Sequence, residues 1–157
     1  MHFGPHNATL TVHTRRAGAA AKAGHDLELL VTRWEGELEA GVSASLTADS
    51  TSLRVQKGEG GMIPLGESDK DNIHQTIDDE VLKRGDIAFR STSIDGARVQ
   101  GDLTIGSTTR PVSFELAEEP LAATITLTQS DFGMKPYSAL FGALKVHDDV
   151  VVELQSR

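Results

Sequence analysis

The chain has 157 residues, enough to bury a substantial core in a single domain spanning 1–157. With 38% hydrophobic and 24% charged residues it reads as neither membrane-spanning nor disordered. A net charge of −8 with no cluster of Lys and Arg excludes the basic face that nucleic acid requires, and disfavours anionic membrane surfaces. No cysteine is present, so disulfides, zinc thiolate sites, iron–sulfur clusters and a cysteine nucleophile are excluded. Met1–His6 shows no basic or apolar leader, and no stretch approaches a membrane span. The expected location is the cytoplasm, or outside the cell if a signal peptide precedes Met1.

Alternation dominates the first sixty residues. Ala8, Leu10 and Val12 share one face of a strand whose other face carries threonines and His13. His25, Leu27, Leu29 and Val31 share a face of the next, and Trp34, Gly36 and Leu38 continue the pattern. The pairs Leu46/Ala48 and Leu53/Val55 fall out of phase, which predicts a bulge or bend near Asp49-Ser50-Thr51. The glycine-rich Lys57–Gly61 then closes the first half.

The period changes at Ser68, read as an N-cap before a helix spanning Asp69–Leu82. Ile73, Ile77 and Val81 form one apolar stripe facing the body of the domain, which leaves Asp78, Asp79 and Glu80 as a solvated face. Strands resume at Ile87, turn at Asp95-Gly96, and continue through Val99–Ile105, Val112–Leu116 and Ala123–Leu127. The final strand carries Val150, Val152 and Leu154 after a break at His147-Asp148-Asp149. About eight antiparallel strands with one helical insertion predict an all-β barrel, with a two-sheet sandwich as the alternative.

No recognised catalytic constellation is visible. His2 and His6 fall in a predicted tail, and no other histidine pair has metal-ligand spacing, so no metal and no cofactor are expected. His25 stands apart because it shares a face with Leu27 and Leu29. It reads either as a polar anchor inside a cavity or as a satisfied histidine at the barrel rim.

The inward positions mix large residues (Leu10, Leu27, Leu29, Phe89, Leu103, Phe114, Ile125) with small ones (Ala8, Ala48, Gly101, Ala123). Such an interior either packs tightly by shape or leaves a tunnel for an apolar molecule. The residues themselves leave both readings open.

Asp86–Thr92 and Val99–Val112 resemble the YceI-like family, with its F-x-S strand followed by v-x-G-x-L-t-i-h-G-v-t-r/k-p-v. Ser130-Asp131-Phe132-Gly133 resembles that family's R-x-D-F-G step, and Asp149–Val152 its closing strand. The resemblance is dense over 86–114 and 130–154 and thin before residue 60. It implies an eight-stranded lipocalin-like barrel holding a polyisoprenoid or quinone-like chain, with no catalysis and no metal. Ile105 and Ser130 replace the family's usual histidine and basic residue, and the longer helix replaces its R-D-x-H-L segment.

The expectation is therefore a carrier or sequestering protein for an apolar, isoprenoid-like lipid, and not an enzyme. Leu27, Leu29, Phe89, Leu103, Ile105, Phe114 and Ile125 would line the tunnel. Phe132, Leu140 and Phe141 would shape one mouth, with His25 as the polar contact. Two alternatives stand beside it. One is an interaction module with a filled barrel, its helix 69–82 contacting a partner or a second copy in a homodimer. The other is a His25-based enzyme.

Overall fold

A computed structural model describes residues 1–18, 26–60, 65–139 and 144–157. The first half contains β1 (His2–Phe3), β2 (Ala8–Thr14), β3 (Arg16–Ala17), β4 (Asp26–Val31), β5 (Trp34–Glu39), β6 (Ser43–Ala48) and β7 (Leu53–Glu59). Helix α1 (Glu67–Thr76) follows and runs on into a single wide π-helical turn, Ile77–Val81. The second half contains β8 (Ile87–Asp95), β9 (Arg98–Ile105), β10 (Thr108–Glu118), β11 (Leu121–Thr128), β12 (Ser138–Ala139), β13 (Leu144–Val146) and β14 (Asp149–Ser156).

The main sheet is antiparallel, in the order β1-β5-β6-β8-β9-β10-β11-β14-β2-β4-β7. Apart from the two-residue β1 at one edge, its two ends belong to one bent hairpin, because β4 runs on into β5 and β6 into β7. The sheet therefore curls around on itself as the barrel reading requires, and is not divided into two separate sheets. The strands number more than the predicted eight because each arm of that hairpin counts twice, once on either side of its bend, because the two-residue β1 adds a strand to the main sheet, and because β3, β12 and β13 form a small sheet of their own.

The bend lies where the phase of the apolar residues slips. Ser50–Ser52 form a 3-10 turn, and pairing carries on around it through Thr32 N–H to Ser52 O and Asp49 N–H to Arg33 O, both 2.9 Å. Ser52 is fully buried, and its hydroxyl accepts from Arg33 N–H and donates to the Asp49 carbonyl, so the corner satisfies its own polar groups. Asp49 caps the turn. Its carboxylate accepts from the Thr51 hydroxyl and backbone N–H and from Arg33 Nε, and these bonds lower its pKa from 3.8 to about 2. A lowered folded pKa contributes stability above about pH 4 that is lost as pH falls towards 2. Asp49→Asn is thus expected to weaken the fold at neutral pH and to flatten the pH dependence of the urea midpoint between 4 and 2. An unchanged acid limb would show that this carboxylate does not hold the corner.

One end of the barrel is solidly packed. Phe3, Trp34, Leu38, Ala44, Val99, Leu116 and Leu121 are all buried there, with the Phe3 and Trp34 rings edge to face at 5.9 Å. Phe3 reaches this core because β1 pairs with β5, and its ring lies over Gly36, where a Cβ would come within 2.4 Å of it. The first residues are thus a structural strand and not the predicted tail. The Met1 ammonium also donates to Leu38 O at 2.6 Å, and His2 Nδ1 meets Glu37 Oε1 at 2.6 Å. The other end carries α1 with its wide turn, and a small sheet in the order β12-β13-β3.

Helix α1 starts earlier than Ser68. Gly66 is its N-cap, and the Asp69 carboxylate accepts from the Gly66 N–H at 2.9 Å. Asp78 does not lie on a solvated face, being 5% exposed. One of its oxygens approaches His74 Nε2 at 3.3 Å and Arg84 at 3.9 Å, while Oδ1 has no partner. His74 Nε2 also lies 2.9 Å from Thr51 O, so this cluster ties the helix to the corner at 50–52.

Candidate functional site

Above the packed end the barrel is hollow, with an internal cavity of about 410 Å³. Its walls follow from strand geometry: every second residue of each strand points inward, so one alternation supplies one vertical strip of wall. Strand β2 contributes Leu10, Val12 and Thr14, and β4 contributes Leu27, Leu29 and Val31. Strand β14 contributes Val150, Val152 and Leu154. Phe89 of β8 and Phe114 of β10 face each other with ring centroids 5.4 Å apart. Gly101 between them is small for a reason, since a Cβ there would sit 2.7 Å from the Phe89 ring.

At the far end the cavity is bounded by Ile73, Ile77, Val81 and Leu82 of the helical insertion, and by Met134, Tyr137 and Val146. The apolar stripe of the helix thus turns into the cavity, not outward as a partner-docking face would require.

Among the described residues no charged side chain lines this space. Its hydrogen-bonding side chains are Thr14, Asn72, Thr76, Gln129 and Tyr137. Gln129 is 6% exposed and fixed by Nε2 donating to His147 O at 3.1 Å. The Thr14 hydroxyl is buried and has no partner. A space with these walls accommodates a long apolar body and offers a few neutral polar groups, all on residues near the helical end.

The structure brings together Leu27, Leu29, Phe89, Leu103, Ile105, Phe114 and Ile125, all on the cavity wall. Phe132 does not line the central cavity: it is buried and borders a second space, beside Arg110 and Pro111. Its place at the helical end is taken by Gln129 and Met134 on either side of it. His25, Leu140 and Phe141 lie outside the described residues. Sequence reasoning left the polar members unnamed. Thr14 was within reach, because it extends the alternation of Leu10 and Val12. Asn72 and Thr76 flank the Ile73/Ile77 stripe at helical spacing, whereas Gln129 and Tyr137 carry no periodic signal.

Residues 5–157 match the YceI-like domain. The chain belongs to the YceI-like family. Its curled antiparallel sheet with one helix is the lipocalin-like fold expected of that family. The crystal structure of Burkholderia cenocepacia BcnA is similar with a TM-score of 0.64 and 14% identity, covering 95% of this chain and 94% of that one. A polyisoprenoid-binding domain from Saccharophagus degradans, implicated in plant cell wall breakdown, is similar with a TM-score of 0.51 and 8% identity. That match covers 96% of this chain and 94% of the other. At such identities the likeness is one of fold. No curated protein matches this chain in sequence. Among the described residues, no helix of this YceI-like chain is long and apolar enough to cross a membrane.

Proposed function

We propose that this protein binds and sequesters, or carries, a polyisoprenoid or similarly long apolar molecule inside its barrel. The observation that carries this reading is the cavity of about 410 Å³ with an apolar wall and no charged lining among the described residues. Each five-carbon unit moved from water into such a space contributes roughly 4 kcal/mol, so a few units outweigh typical association costs. The YceI-like fold supports the same ligand class, since a structural neighbour is a polyisoprenoid-binding domain. The described lining holds neutral hydroxyls and amides in place of the carboxylates and imidazoles that acid–base chemistry uses, which favours holding a molecule over converting one.

Native mass spectrometry of gently purified protein, followed by organic extraction, tests this directly. A bound species lost on extraction and identified as a polyprenyl, quinone or comparable lipid is the expected result. A clean apo mass, together with no uptake of farnesol or a short-chain ubiquinone added in vesicles, would overturn it.

A further inference from the structure

The barrel wall is not continuous between β10 and β11. Their ladder is made only beside the hairpin, from Leu116↔Ala123 to Glu118↔Leu121. Beyond that, Thr108–Glu115 pair only with β9, and Thr124–Thr128 pair only with β14. A slot of about 370 Å³ lies between the two bare edges. Val112, Ile125 and Leu127 line both this slot and the central cavity, so the two spaces share one wall.

Local chemistry keeps the edges apart. Ile105↔Thr108 closes a two-residue turn as a hydrogen-bonded pair, and pairs alternate from there. The Pro111↔Asp102 pair is therefore non-bonded, which turns the backbone nitrogen of Pro111 to the slot, where proline has no N–H to give.

The turn Gln129–Phe132 crosses this opening. Gln129 and Met134 face the cavity, while Phe132, 5% exposed, borders the slot. Arg110 Nε donates to Asp131 O at 2.9 Å and ties the turn to β10.

We propose that this slot is the side entrance through which the cavity's ligand exchanges, with Phe132 at its border as the side chain that narrows it and Arg110 as the tie that positions the Phe132 turn. Passage there breaks no β10–β11 ladder hydrogen bond: the Val112, Ile125 and Leu127 side chains between the two spaces have to part, and the Phe132 turn, held by Arg110 and by the bonds of Gln129 and Ser130 to His147 and Asp148, has to swing out. A flexible apolar chain threads between strand edges more readily than past the helix, whose Asp78 cluster anchors it to the barrel.

The inference rests on the cavity being the ligand site, and the test separates the two. Equilibrium titration with N-phenyl-1-naphthylamine, a neutral dye that fluoresces on leaving water, first establishes uptake by the unaltered protein. Failure at that step overturns the cavity reading. Given uptake, stopped-flow mixing of Phe132→Ala and Arg110→Gln is expected to show association and dissociation both faster by roughly tenfold, with Kd within about a factor of three. Leu121→Ala, equally buried at the packed end, serves as the control and leaves the rates unchanged. Because the chain has no cysteine, Ser113→Cys with Thr126→Cys is bridged selectively by a short bis-maleimide, and this is expected to slow exchange. Unchanged rates in the slot variants and the bridged protein, or equal acceleration by Leu121→Ala, would overturn the side entrance while leaving the cavity intact.

Discussion

Replacing Trp34 with alanine is expected to lower the unfolding free energy by about 3–5 kcal/mol, read from urea denaturation. A domain of this size is stable by roughly 5–15 kcal/mol in all, so one truncation removes a large share. The reason lies in position. Trp34 is 6% exposed and packs edge to face on Phe3. The strand that delivers Phe3 reaches the core only by pairing with the strand that begins at Trp34. Loss of the indole therefore leaves a void at the packed end and removes the surface against which the first strand seats. The indole Nε1 is buried without a hydrogen-bond partner, so the truncation forfeits packing and no polar contact. Trp34→Phe separates these effects: it keeps a ring and removes the unpaired donor, and should cost about 1–2 kcal/mol at most. If alanine proves as mild as phenylalanine, this end of the barrel is not where stability resides.

Filling the hollow should have the opposite signature. Ala123 lines the cavity, and Ala123→Phe places a ring in empty space, so the fold should lose less than about 1 kcal/mol while affinity for an apolar dye falls by roughly 100-fold. The same change at Ala44, buried in the packed end, has nowhere to go and should cost about 1–3 kcal/mol through overpacking. Urea midpoints and dye titrations on the two variants give a clean contrast. A binding loss at Ala44 with none at Ala123 would relocate the ligand site.

Much of this was legible because a barrel interior is written with a period of two. Leu27/Leu29, Phe89, Leu103/Ile105, Phe114 and Ile125 each stood in a strand whose alternation showed a common face, and barrel closure turns every such face to one axis. The bend at Asp49–Ser52 was legible as a slip in phase, though its consequence for the strand count was not, since a bent strand and two short ones read alike. Features resting on single contacts were silent. Phe3 belongs to a two-residue strand, too short to show any period. Asp78 follows the Ile77 of a well-formed apolar stripe, and only the wide turn and the nearby corner bury it. The parting of β10 from β11 left no mark in the alternation of Val112, Phe114 and Leu116, because inward residues alternate whether a strand has one neighbour or two. Pro111 was the visible sign, as proline inside a strand belongs at an edge.

That proline bears on solubility as well. Two long strand segments with unshared backbone groups are a template for another chain, the usual starting point of edge-to-edge aggregation. Here the template is defaced at several points along its length. Pro111 withholds a donor, Arg110 places a charge beside it, and the Phe132 turn covers the rest. An extended segment from a neighbouring molecule meets a proline, a guanidinium and a turn carrying the Phe132 ring instead of a ladder. The opening in this wall is thus tolerable in a concentrated protein solution because the residues that border it are poor partners for anything that pairs through its backbone.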